Sequence, residues 1–540
     1  MIKPDGEKPW HNARMHTVNT LIAVILATLT GLATAAPVRE PDGGSGLAPD
    51  QHADYSTLAW WSEYEQRRRN NVERLLAEGR LAKNKGTPPQ FAWPIATASS
   101  HLGVTAISNF VDLDPHFPNQ LLDYNCGERS YDLTSGYNHR GIDIYLWPFA
   151  WWQMDRDETW VVAAAPGTIT LRADGNFDRS CGFNQLPWNA VYVEHDDGSW
   201  TAYGHLKNGS VTEKQVGDRV ETGERLGVVG SSGSSFTPHL HMETYDAQGA
   251  LVEPFAGACN NLNDSWWQSQ REYYDSQVSL LATHHQPPQF PACPQTEQPN
   301  YATAFEPGDD VFIAAYYRDQ LAGQSTDYTV YDPDGLMVDS WQQRFLFPQH
   351  YPSSYWFYQV QLAANAKPGQ WAVKVEYLDQ VVETSFVVRD EDFVVNNGLG
   401  GVWSFDDSGR PVQSVGMVLQ LVSAENHPAS INAVVGAMFT HDDPGTAKFS
   451  GAAQRWFTFQ GEYDPASATI TGVPVYQVLG GDFSGSGPGQ TQQVGTVDFD
   501  FFNCRQGNIE MALFDGLNVD WQMSRTFGDD DVLCQSQLSR

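Results

Sequence analysis

Gly230-Ser-Ser-Gly-Ser-Ser-Phe-Thr-Pro-His239-Leu-His241-Met-Glu243 is a small-residue loop running into a short alternating segment. Side chains alternate faces along a strand, so His239, His241 and Glu243 share one face and Leu240 and Met242 the other. The apolar pair faces a core, and the two imidazoles project together from the sheet. Upstream, Tyr203-Gly-His205-Leu206 follows a hairpin signalled by Asp197-Gly198. Further upstream lies His139-Arg-Gly-Ile-Asp143. The flanking texture is short alternating strands with Pro166-Gly167 and similar turns, which predicts a mainly β fold built on antiparallel sheet.

Five groups with metal or proton-transfer chemistry thus fall within about a hundred residues: His139, Asp143, His205, His239 and His241. Zinc prefers imidazole nitrogen and carboxylate oxygen in a tetrahedron, and a catalytic site keeps one position open for water. Two histidines and one aspartate supply three ligands. Peptide hydrolysis then needs a base and donors for the tetrahedral oxyanion.

At "NHRGID", "YGHL" and "GSSGSSFTPHLHME" the sequence resembles the lysostaphin-type zinc endopeptidases, especially their beta-lytic metallopeptidase branch. The resemblance covers residues 91–265. It implies an antiparallel sheet groove floored by Zn2+, with His139, Asp143 and His241 as ligands and His205 and His239 as catalytic histidines. It also implies peptidoglycan peptides as substrate, with Gly-rich proteins as an alternative and a non-catalytic wall-binding or amidase-activating scaffold as another. The chain departs from the family in two places. The loop before His239 carries Phe236 and Thr237 where the family has Thr and Gly, which alters the groove edge. A long insert with Cys181 separates Ile169 from Val191.

The chain has 540 residues, 41% of them hydrophobic and 18% charged, and a formal net charge of -33. It can bury several cores. The acidity argues against nucleic-acid partners, which need a basic face, and against docking on anionic membranes. Leu21–Leu32 is an apolar run too short for a bilayer, which needs roughly 20 residues. Lys3, Lys8 and Arg14 precede it and Ala33-Thr-Ala35 follows, so residues 1–36 read as a signal peptide. The expected address is secreted, with the periplasm as alternative, and no stable membrane anchor. Six cysteines in an exported chain imply disulfides. Sequence order and domain grouping favour Cys126–Cys181, Cys259–Cys293 and Cys504–Cys534.

Residues 37–56 are Pro-, Gly- and Asp-rich and expected to be loose. Residues 37–90 contain a helical segment and form a possible propeptide; the helical spacing of apolar residues covers 57–84. Residues 91–265 are the endopeptidase domain and 266–299 a linker holding His284 and His285. A β-sandwich-like domain spans 300–390 and a β-rich domain 391–540, both accessory. "GLGGVWSFDDSG" and "VGTVDFDFFNCRQGN" in the latter resemble an accessory region of exported proteobacterial proteins. His195 reads as structural, and Trp147, Trp151, Trp152, Trp266 and Trp267 as core or groove wall.

Overall fold

The fold comes from a computed structural model. It describes residues 36–47, 59–81, 87–97, 105–260, 262–345, 350–390 and, with short gaps, 392–538. The proposed signal segment, residues 1–35, lies outside the described residues. The protein is mainly β, as the strand periodicities require, with several antiparallel sheets and a barrel.

The sheet that carries the site runs in the order Thr105–Asn109, Ile142–Leu146, His239–Tyr245, Trp200–Gly204, Ala190–Glu194, Gly167–Ala173, Arg219–Val220. Its central register sets His241 opposite Asp143 on one side and opposite Gly204 on the other. Leu240 and Met242 enter the core with Ile142, Ile144, Val191, Val193 and Tyr203. Phe91, Trp266 and Trp267 close the same core, so it extends just past residue 265.

A sandwich follows. One sheet holds Gly43–Leu47, Tyr351–Gln361, Asp310–Gln320 and Gln277–His284, and the other is formed from five strands between Ala304 and Val388. Tyr317, Tyr328, Trp341, Tyr358 and Tyr377 fill the space between them. Two expectations are corrected here. The segment 266–299 is not a plain linker, because Gln277–His284 pairs with Asp310–Gln320 along its length. His284 is buried on that strand, with Nδ1 2.7 Å from the Pro299 carbonyl and Nε2 3.2 Å from the Tyr316 hydroxyl. Nor is 37–56 loose throughout, since Gly43–Leu47 pairs with Tyr351–Gln361. Its glycines hid this strand from propensity rules. A Cβ at Gly46 would lie 2.2 Å from the Tyr351 ring, so only glycine lets the chain lie across it.

Two of the three expected disulfides are re-paired. Cys126 bonds Cys259 and Cys181 bonds Cys293, while Cys504–Cys534 is as expected. Pairing by sequence order fails because the sheet brings the segments before and after it together. Cys181 in the long insert meets Cys293 beyond the Gln277–His284 strand.

The sandwich is welded to the sheet that carries the site. Tyr145, Trp147 and Phe149 pack with Leu280, Ala282, Ala314 and Tyr316. Arg129 pairs with Asp319 at 2.7 Å, both nearly excluded from water. Arg318 reaches the Thr105 carbonyl at 3.3 Å. The last unit is a closed barrel of eight sequential antiparallel strands from Gly401–Asp406 to Asn518–Arg525, filled by Trp403, Phe459, Phe499 and Met523 among others. Its closure pairs Trp403 with Arg525. The helix Ala59–Ala77 lies on the Gly167–Ala173 side of the sheet that carries the site, with Asn71 donating to the Thr170 carbonyl at 2.9 Å.

A chain ending near residue 295 strips Gln277–His284 of its partner and opens the Tyr145–Tyr316 interface. It is expected to aggregate or melt well below the full chain, whereas a chain ending near residue 390 keeps the melting transition of the site-bearing sheet and sandwich. Arg129→Ala removes the ion pair from buried Asp319, leaving it the His350 ring and the Asp275 N–H, and should cost about 3–5 kcal/mol in denaturant unfolding. An unchanged melting curve for the 295 truncation would contradict the welded interface.

Candidate metal centre

All five sequence-predicted site residues come together, and none of their surface is exposed. His139 Nε2 lies 3.0 Å from Asp143 Oδ2, His241 Nδ1 2.8 Å from Asp143 Oδ1, and the two imidazole atoms 3.4 Å from each other. These are the ligand atoms of one potential cation site. Donors held about 2.0–2.2 Å from a tetrahedral ion sit roughly 3.4 Å apart, so the donor set and its spacing suit such an ion.

The tautomers follow from the partners. A carbonyl oxygen only accepts, so a ring nitrogen beside one carries the hydrogen. His139 Nδ1 donates to the Phe110 carbonyl at 2.7 Å, which turns the lone pair of Nε2 toward Asp143. His205 Nδ1 donates to the Ser232 carbonyl at 2.5 Å and His239 Nδ1 to the Thr237 carbonyl at 2.8 Å. Both present Nε2 to the site, with their rings 4.7 Å apart. His239 Nε2 is 3.8 Å from Asp143 Oδ1. His205 sits at a φ of 60°, a region costly for a residue with a Cβ. Strain of that kind concentrates where a side chain must be aimed.

His241 differs, because its Nε2 donates to Glu243 Oε1 at 3.2 Å and leaves Nδ1 to face Asp143. Burial disfavours a charged imidazole there, yet hydrogen bonds and charge from Asp143 and Glu243 prevail and push its pKa up to about 9. The negative field that holds a proton would equally attract a divalent cation. Burial would raise Glu243, but its bond to His241 and the charge of Arg140 hold the carboxyl below its ordinary range. Tyr245 bonds Glu243, and Arg140 donates to the Tyr245 hydroxyl at 2.8 Å.

Two supporting residues were not legible. Asn109 donates to Asp143 Oδ2 at 3.0 Å from the neighbouring strand. Trp188, in the long insert, sets its ring centroid 5.1 Å from that of His205 and 5.7 Å from that of His241. Only the register and the insert's path place them. Gly141 also matters, since a Cβ there would lie 2.7 Å from the His241 ring. Phe236, a departure from the family loop, packs edge-on against Phe183 of the insert at 5.0 Å. The insert runs beside that loop, with Gly182 donating to the Ser235 carbonyl at 2.9 Å. His195 is buried, bonded to the Pro166 carbonyl and to Thr201, both at 2.9 Å, and its pKa is lowered by burial.

Residues 137–254 match the model of Peptidase family M23. The chain is also similar to curated proteins over part of its length, among them the following three. The peptidoglycan DD-endopeptidase ShyC of Vibrio cholerae is 35% identical over 82 residues, 15% of this chain and 18% of its own length. The DD-carboxypeptidase/endopeptidase Mpg of Neisseria meningitidis serogroup B is 40% identical over 105 residues, 19% of each chain. The cell division protein DipM of Caulobacter vibrioides is 41% identical over 85 residues, 15% of this chain and 13% of its own. The matches therefore span less than a fifth of these relatives.

His139→Ala and Asp143→Ala should each lose the bound metal on dialysis, read by elemental analysis of the purified chain. Gly141→Ala should weaken retention about tenfold or more by displacing the His241 ring. Stoichiometric metal in His139→Ala and Asp143→Ala would overturn the ligand set.

Proposed function

We propose that the Peptidase family M23 domain at residues 137–254 makes this chain an exported zinc endopeptidase that hydrolyses peptidoglycan cross-link peptides. The observation that carries this is the convergence of His139, Asp143 and His241 with two further imidazoles, His205 and His239, whose Nε2 atoms face the same point. The two-nitrogen, one-oxygen donor set suits zinc, with His139 Nε2, an Asp143 oxygen and His241 Nδ1 as ligands. When bound, the metal supplies Lewis acidity toward a water and a carbonyl.

The chain's own residues do the rest. The Nε2 lone pairs of His205 and His239 orient the attacking water; one of the two takes up its proton, and the Nε2–H so formed hydrogen-bonds the tetrahedral oxyanion and passes the proton to the leaving nitrogen. Their Nδ1–H bonds to backbone carbonyls fix both tautomers for this work. Glu243 and Asn109 hold His241 and Asp143 in place. The name of one relative, a peptidoglycan DD-endopeptidase, supports wall peptides as substrate, and the signal-like segment together with six paired cysteines supports export.

The site is closed as it stands. Trp188 covers His205 and His241, and the Ala59–Ala77 helix backs it: Trp60 and Trp61 lie 5.6 and 5.7 Å from the Trp188 ring, and the Tyr64 hydroxyl donates to the Trp188 carbonyl at 3.2 Å. Arg68 fastens the helix to Glu194 at 3.1 Å. The Ala59–Ala77 helix thus acts as a cover that substrate must displace.

Purified peptidoglycan should yield new amino termini with the full chain, and His205→Ala should lose at least about 10²-fold in rate while keeping its metal. Cleavage of a Gly-rich protein but not of wall would move the substrate to the alternative. Wall binding without cleavage by a metal-loaded chain would favour a scaffold.

Changing Trp60 and Trp61 together to Ala, which leaves the Gly43–Leu47 strand in its sheet, should raise the rate on a short peptide by tenfold or more. Equal rates in the covered and uncovered chains would end the covering role.

A further inference from the structure

Far from the catalytic sheet, the barrel carries a groove of about 630 Å³ on the outer face of its strands between Gly416 and Phe501. Alternation explains why this face is unusual. Leu419, Met438, Phe457 and Phe459 point into the barrel and are almost fully buried. Their neighbours point outward, and several are large and apolar: Val418 and Val435 are each 46% exposed, Phe439 38% and Trp456 58%. Scattered exposed apolar residues need no explanation, but a contiguous set marks a contact surface.

The register arranges this set in rows. Gln420 is opposite Val435, and Val435 opposite Gln460. In the next row Val418, Ala437, Thr458 and Tyr476 are opposite one another in turn. In the third, Phe439 faces Trp456, their rings packed edge to face at 5.1 Å. The small Ala437 makes the floor. A carboxamide row bounds one end and an aromatic pair the other.

The chemistry of this lining selects its occupant. No described residue of the groove is charged, in a chain with 65 acidic and 32 basic residues. An anionic lipid, a nucleic acid or a charged peptide finds no counter-charge there. The polar groups are glutamine carboxamides and the hydroxyls of Thr458, Thr491 and Tyr476, which both donate and accept. Such groups match sugar hydroxyls and acetamido groups, and beside the groove, in the next row of the same outer face, the exposed flat ring of Trp456 suits the apolar C–H face of a pyranose. The volume falls within the range of small-ligand sites and accommodates two or three sugar rings.

We propose that this face of the barrel is a binding site for an uncharged glycan chain, with Trp456 and Tyr476 as stacking platforms and Gln420 and Gln460 as hydrogen-bonding ends. It holds the enzyme on a polymer by raising local concentration. The catalytic assignment is not required for it.

The test uses the full chain and three probes: a tetramer of β-1,4-linked N-acetylglucosamine, a tetramer of β-1,4-linked glucose, and phosphatidylglycerol vesicles. Saturation-transfer NMR and calorimetry should show saturable binding of at least one tetramer and none of the vesicles. The first tetramer alone would identify acetamido recognition, and both would identify the shared pyranose surface. Trp456→Ala and Gln460→Ala should each weaken binding about tenfold or more, with the melting temperature and the rate on a short peptide unchanged. Trp456 is largely exposed, and Gln460→Ala removes no ring, so one informative variant folds in any case. Binding of neither sugar, sugar binding equal in both variants, or vesicle binding lost in Trp456→Ala would each overturn the proposal. Loss of peptide cleavage with sugar binding intact would instead overturn the catalytic reading.

Discussion

Asp143 is a carboxylate with no exposed surface, at the middle of a sheet and opposite His241. A buried charge is tolerated only where opposite charge and hydrogen bonds replace water. Much of the local structure supplies that replacement. His241 and His139 stand within 3.0 Å of its two oxygens, and Asn109 bonds it from the next strand. Glu243, Tyr245 and Arg140 extend the network outward. Such a cluster concentrates negative field on inward-facing nitrogen and oxygen donors. It is an expensive way to fill a core and a good way to hold a small cation.

That arrangement demands a stiff frame, and the frame reaches beyond the catalytic sheet. Errors near 1 Å in the placement of reacting groups cost large factors in rate. The Ile142–Leu146 strand that carries Asp143 also carries Tyr145, whose hydroxyl donates to the Pro352 carbonyl of the sandwich. Arg129 and Asp319 tie the same two units on a neighbouring edge. The insert that holds Trp188 over the histidines is bolted by Cys181–Cys293 to the chain leaving that sandwich sheet. The sandwich is therefore part of the scaffold, while the barrel, with its own core and its own disulfide, is a separate packing unit.

The sequence made some of this legible and hid the rest for physical reasons. A period of two in His239–Glu243 is local, so the shared face of its histidines could be read directly. Chemistry-bearing residues of fixed type, such as His139 and Asp143, announced themselves by spacing. Asn109 and Trp188 act through register and an insert's path, neither of which is local. Glycine strand Gly43–Leu47 pairs because small residues fit over aromatic rings, a contact invisible to propensity. The cysteine pairs failed where the fold joins distant segments and held where Cys504 and Cys534 close a short loop. His284, read as a linker residue, is buried because its strand belongs to the sandwich sheet.

The most direct measurement is X-ray absorption at the metal edge of the purified full chain. The account predicts zinc with two imidazole shells and oxygen ligands at about 2.0–2.2 Å, and no sulfur. A sulfur shell, an oxygen-only shell, or a chain that holds no metal would contradict the assignment of His139, Asp143 and His241.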